Sequence, residues 1–382
     1  MDFLSGLFGY VVPFVFVLSL VVFIHEMGHF LVARWFGIIV EQFSIGFGRE
    51  VAGWTDKNGT RWKVGWLPLG GYVKFLGDES AASTPDRAAL EKLPEDVRGD
   101  CFQFKPLHAR AAVVAAGPVA NFILAIIIFA FMYSVVGQTI TAPRIDKVLA
   151  DGPAAAAGFE PGDLIVSIQG SEIVSFNDMQ RIVSTSPERE LDVVVERDGA
   201  LVDLVVVPEL KEITDRFGNT QMVGMIGLSR SNAADDLVTV RYNPAVAVWK
   251  GVEETGFIIS TTFSYLGDII VGRQNADQLG GPLRIAQVSG QVATLGLLAL
   301  LNLAAILSVS IGLLNLFPIP MLDGGHLLYY AVEAVRGEPL GEKAQEYGFR
   351  IGLAAVLSLM LFATWNDLVH LRVVEYIGSV FS

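Results

Sequence analysis

The stretch FIHEMGHFLVA, Phe23 to Ala33, sets two histidines and a glutamate in an otherwise apolar run. His25 and His29 are four residues apart, so on a helix they project from one face about one turn from each other. Two imidazoles so placed can reach one ion at ~2.0 to 2.1 Å. Glu26 stands beside them, free to face the ion's open position. In a membrane helix each ionisable group costs roughly 2.5 to 3.5 kcal/mol on insertion scales, so three within five residues need something that offsets the cost. A divalent cation held by neutral imidazoles does so. A hydrolytic zinc takes three protein ligands and a water. Cys101 is the sole cysteine, which excludes a thiolate cluster, and the remaining histidines are His108, His326 and His370. The segment NLFPIPMLDGGHLL is the best source of the third ligand. Pro318 and Pro320 break a helix there and leave backbone that must be buried in protein or line a wet cavity. Asn315 and Asp323 flank the break; Asp323 has the short carboxylate, His326 is its rival, and a plain helix N-cap is the unreactive alternative for Asp323.

The elements that must position these groups are read from composition. Of 382 residues 52% are hydrophobic, and the mean hydropathy is +0.50, which points to a membrane protein. Four apolar stretches, Gly9–Ile38, Ala111–Val136, Leu295–Phe317 and Phe349–Val369, each approach the ~20 residues that cross a bilayer. Met1 to Gly9 holds no Lys or Arg and no cleavage-site pattern follows, so the first stretch is expected to be a permanent helix. Arg34 to Arg110 carries eleven Lys or Arg, which places that loop in the cytoplasm. The N-terminus, the long region after the second span and the C-terminus are then external, with the catalytic groups toward the cytoplasmic side. The net charge of −13 excludes a nucleic-acid partner.

The expected organisation is a first span over 1–38, a cytoplasmic loop over 39–110, a second span over 111–136, a small domain over 141–210, an extension and surface helix over 211–294, a third span over 295–317, the LDG segment and a loop over 318–348, a fourth span over 349–369 and a tail over 370–382. In the first loop, WKVGWLPLGGYVKFLGD alternates around Pro68, Gly70 and Gly71 as short strands turning on glycine do, and Glu79 to Asp100 reads as an exposed connector. In the small domain, strand-like runs and the string ADGPAAAAGFEPGDLIVSIQG resemble a bacterial PDZ domain, whose groove would accept a C-terminal peptide. Lys211 to Asn232 reads as a strand-like extension, Tyr242 to Gly272 as an amphipathic helix on the outer face, and Gly280, Gly281 and Pro282 as a turn. Gly117, Pro118 and Asn121 open the second span, where Asn121 either reaches the first helix or caps its own.

HEMGH, GGYVKF, AAGPVANF, the PDZ-like insertion and NLFPIPMLDGG, in this order, resemble the bacterial site-2 proteases, the RseP-type zinc intramembrane metalloproteases. The likeness covers nearly the whole chain. It implies an α-helical membrane protein with about four transmembrane helices, a membrane-associated β-hairpin and an inserted α/β PDZ domain, in a bacterial inner membrane. It also implies zinc held by His25, His29 and Asp323, Glu26 as acid/base and Asn315 holding substrate. Substrates implied are single-span membrane proteins, such as pre-trimmed anti-sigma factors and remnant signal peptides, which must be unwound before they are cut. Gly70, Gly71, Tyr72 and Val73 then offer an edge strand to an extended substrate, or merely plug the cytoplasmic mouth. The other readings are a PDZ-bearing membrane scaffold without catalysis and a membrane zinc protease that cuts soluble loops.

Overall fold

The computed structural model describes residues 3–78, 94–214, 220–230, 238–273 and 280–370. Most of the expected connector Glu79–Asp100 and the tail beyond His370 fall outside the described residues. Two compact bodies are present, one built from Met1–Ala130, Val248–Ile259 and Leu279–Ser382, the other from Phe131–Ala247 and Ser260–Gln278.

Four helices are long and apolar enough to cross a membrane: Phe8–Trp35, Leu107–Val136, Leu297–Asn315 and Lys343–Val369. They contain the four predicted stretches to within a few residues. A helix satisfies its own backbone groups, which is what a chain in hydrocarbon requires. The third span stops at Asn315, and the next helix starts at Asp323 and runs to Arg336. Between them lie the two prolines and Met321, whose φ of +95° a non-glycine residue rarely adopts. The predicted helix break is therefore real.

After the first span the chain forms a twisted pair of long strands, β1 (Val40–Thr55) and β2 (Arg61–Phe75). The turn joining them is Asp56–Thr60, where Asp56 Oδ1 accepts the N–H groups of Asn58 and Thr60 at 2.8 and 2.9 Å. Pro68 and Gly70 bend β2 further on, so that Gln42 to Ile45 of β1 has partners on both sides, Arg61 to Val64 and Gly71 to Lys74. The glycine stretch thus does turn the chain, but the strand it returns to is β1, which the sequence reading left unassigned. Gly46 and Gly48 interrupt its alternation. Phe43 is fully buried between Phe30 of the first span and Trp62 of β2, so the sheet is packed against the helix that carries the histidines.

Gly280 to Pro282 is more than a turn: Pro282–Ala293 is a helix, capped from a distance. Asp367 of the fourth span, 1% exposed, accepts the N–H groups of Gly281, Leu283 and Arg284 at 2.8, 2.9 and 3.0 Å. A carboxylate satisfies helix N-terminal donors well, but nothing local in the sequence announces a cap more than eighty residues away.

The second body holds a four-stranded antiparallel sheet in the order Ser171–Glu172, Leu164–Ile168, Leu191–Arg197, Ala200–Val206. A helix over Phe176–Ser184 is started by a capping box between Ser175 and Asp178. Its core joins Ile145, Ile165, Met179 and Val195 to Ile226, so it draws on residues beyond the expected limit of Leu210. Glu209–Thr214 and Thr220–Met225 pair as a hairpin, in line with the expected strand-like extension. The predicted amphipathic helix spans Pro244–Val271, with Asn243 as N-cap and Gly272 in the left-handed C-cap conformation.

Candidate metal centre

In the first span, HEMGH is continuous helix, and His25 and His29 point the same way. Their Nε2 atoms are 3.2 Å apart. Asp323 Oδ2 lies 3.2 Å from His25 Nε2 and 3.6 Å from His29 Nε2. The helix that brings it follows directly on the proline break. Gly324 and Gly325 allow this approach, because a Cβ on either would collide with the carbonyls of Leu316, Phe317 and Ile319.

The second span sets the histidine tautomers. His29 Nδ1 donates to the Val113 carbonyl at 2.8 Å, which leaves Nε2 as a lone pair. Asn121 Nδ2 lies 3.3 Å from His25 Nδ1, and its buried Oδ1 has no hydrogen-bond partner. With the amide turned so that Oδ1 faces the ring, His25 donates from Nδ1 and its Nε2 is a lone pair too. Asn121 therefore does reach the first helix. Its own carbonyl is fixed by Ser308 Oγ of the third span at 2.8 Å.

Two imidazole lone pairs and a carboxylate oxygen thus converge, and Asp323 Oδ2, although near both nitrogens, is aligned with neither for a hydrogen bond. Such an arrangement repels itself without a cation. Ligands at ~2.0 to 2.1 Å around a tetrahedral ion stand ~3.3 to 3.4 Å from one another, close to the separations seen here. The donor set of two imidazoles and one carboxylate is that of a hydrolytic zinc with a position left for water.

These groups open on a cavity of about 540 Å³ whose wall includes Glu26, Gly71, Tyr72, Val73, Asn315, Asp323, His326, Arg110, Tyr330 and Glu333. The Glu26 carboxylate lies near the backbone N–H of Val73 in β2. Gly71 is backed against the same helix: a Cβ there would stand 2.9 Å from Val22 and 3.0 Å from Glu26 Cγ. Gly70 is not part of the lining; its φ of +143° instead serves the bend in β2. His326 lines the cavity but lies outside the cluster of three that could hold a metal, and burial presses its imidazole toward the neutral form. His108 packs against Phe36. Sequence reasoning missed Val113, which acts through its backbone, and the Arg110, Tyr330 and Glu333 group, whose members carry no motif.

A membrane-length helix supplying two imidazoles, a second helix supplying a carboxylate and a cavity lined by a glutamate are the parts of a membrane metallohydrolase. The chain belongs to Peptidase family M50, the site-2 protease family, whose profile matches residues 13–359. It is 53% identical to a provisionally named zinc metalloprotease of Agrobacterium fabrum, over 94% of this chain and 96% of that one. It is 41% identical to Metalloprotease MmpA of Caulobacter vibrioides, over 97% of this chain and 98% of that one. A provisionally named zinc metalloprotease of Rickettsia conorii is 35% identical over 94% of this chain and 99% of its own length. The protein is a zinc-dependent metalloprotease of a multi-pass membrane family.

Proposed function

We propose that the protein cuts the transmembrane helices of single-span membrane proteins inside the bilayer, with zinc held by His25, His29 and Asp323. One observation carries this reading: two of the three converging donors, His25 and His29, sit within a membrane-length helix. His25 and His29 lie roughly 9 to 15 Å along the Phe8–Trp35 segment from its end, by ~1.5 Å per residue. A peptide bond that reaches them must come to that depth. The charge bias of the loops puts this end of the span toward the cytoplasm of a bacterial inner membrane, with the second body outside.

When bound, zinc polarises the scissile carbonyl and lowers the pKa of water toward ~7. Glu26 takes the proton of the attacking water and returns it to the leaving nitrogen. Asn315, at the end of the third span and on the cavity wall, is placed to hold the substrate backbone.

A helical substrate hides its backbone, so it must be extended before it is cut. Gly71 to Phe75 has β1 on one side and the cavity on the other, and an unwound segment adding there exchanges helical hydrogen bonds for interstrand ones. Val73→Pro removes an N–H from this edge of β2. Cleavage is expected to fall about two- to tenfold with zinc still bound, as a lost interstrand hydrogen bond is worth ~0.5 to 1.5 kcal/mol. Unchanged kinetics would exclude strand addition. The sheet-and-helix body, read as a PDZ domain, would receive a C-terminus exposed by earlier trimming, as on a pre-trimmed anti-sigma factor; remnant signal peptides are the other substrate class.

The deciding experiment incubates the purified protein with single-span substrates, with and without a zinc chelator, and maps the cut by mass spectrometry. A chelator-sensitive cut within the apolar span is expected. A cut confined to soluble loops, or one indifferent to the chelator, would remove the proposal.

A further inference from the structure

Asp323 poses a mechanical problem. Its helix follows a proline-broken link, Phe317 to Leu322, and packs on the end of the third span through its first turn, at Gly324 and Gly325, which leaves its far end to be held by something else. A ligand that must stay within tenths of an ångström of two imidazoles needs a second attachment for its helix.

The second span provides one. Arg110 reaches Glu333 of the Asp323–Arg336 helix through two hydrogen bonds, Nη1 to Oε2 at 3.2 Å and Nη2 to Oε1 at 2.5 Å. The guanidinium lies 5.0 Å from the centre of the Tyr330 ring, and Arg110 Nε donates to the Lys105 carbonyl at 3.1 Å. Both side chains of the ion pair are only 15% exposed. Burial in a forked, bidentate geometry distinguishes this pair from the surface pairs of the molecule.

The spacing ties it to the metal. Glu333 is ten residues beyond Asp323, about 15 Å along the helix. On the second span, Arg110, Val113, Gly117 and Asn121 fall three, four and four residues apart, on one stripe. That stripe meets Glu333 at one end and the two histidines at the other. One face of one helix therefore orients the imidazoles and also grips the helix that bears the carboxylate.

We propose that Arg110 and Glu333, with Tyr330 as the platform, are positioning residues that hold Asp323 in register with His25 and His29. The proposal rests on the metal site described above, and its readout is zinc binding rather than proteolysis. Zinc affinity of the full-length protein is measured in detergent by competition with a chromogenic chelator, and its release by stopped flow. Arg110→Met and Glu333→Gln are each expected to bind zinc at least about tenfold more weakly than the parent, the low end for loss of a group that orients a ligand. The double variant Arg110→Met/Glu333→Met leaves no buried charge unpaired, so it is the control for a single variant that loses stability through its unpaired partner. It is expected to show the same tenfold loss, not the product of two. Zinc affinity within twofold of the parent in the double variant overturns the proposal, and so does a lowered melting midpoint of the apoprotein with zinc release unchanged. His25→Phe, run alongside, separates the failures. If it loses zinc while the double variant does not, the clamp alone is wrong; if it keeps zinc, the ligand assignment falls with it.

Discussion

Glu26→Gln is expected to bind one zinc per chain as the parent does and to cleave its substrate about 10² to 10⁴ times more slowly, the range a positioned acid/base contributes. The substitution keeps length and shape. The amide fits where the carboxylate stands, on the cavity wall beside Val73 of β2. What it loses is the ability to take a proton from water and deliver it to the departing nitrogen. Because Glu26 lies outside the cluster formed by His25, His29 and Asp323, metal content is not expected to change. Metal analysis and single-turnover cleavage on the same preparation check both halves. Activity within a few-fold of the parent would move the base to another group on the wall, of which His326 is the titratable one nearest Asp323 in sequence. Loss of zinc would instead make Glu26 a ligand.

Much of this site is legible in the sequence because its information is local. Two histidines one helical turn apart, a glutamate between them and an aspartate just past a double proline break each declare themselves within a few residues. So do the four spans, since a bilayer sets their length. What escapes is whatever depends on distant partners. The cap on Pro282–Ala293 comes from Asp367, and β1 is recognised as a strand only once Trp62 and Val73 lie on either side of Phe43. The tautomer of His29 depends on a carbonyl, that of Val113, and carbonyls leave no trace in a sequence. Arg110 and Glu333 look like ordinary charged residues at the start of one helix and near the end of another. The small body is a further case: the string around Gly158 and Gly162 marks its turns, but its core closes through Ile226, past the point where the alternating pattern stops.

Gly117→Ala tests how tightly the second span is fitted to the metal ligands. A methyl at Gly117 would stand 2.8 Å from His25 Cε1 and nearer still to His29 Nε2, the very atom that faces Asp323. Either ring can retreat only by giving up its partner on the second span. His29 is held by Val113 one turn away on the same helix, and His25 lies against Asn121 one turn further on. Whether the rings shift into the cavity or the second span moves away from the first, the hydrogen bonds that set both tautomers are broken. Zinc affinity is expected to fall about 10- to 100-fold, as when an orienting partner of a ligand is lost, and cleavage at limiting zinc with it. Crowding of this kind also destabilises a packed region by ~1 to 3 kcal/mol, so the apoprotein is expected to melt earlier. Gly9→Ala is the control, since nothing stands within 4 Å of a Cβ there, and it is expected to match the parent in zinc affinity and melting alike. If Gly117→Ala binds zinc as tightly as Gly9→Ala does, the second span is not the element that aims the imidazoles, and the orientation of His25 and His29 has to be ascribed to the first helix and β2 alone.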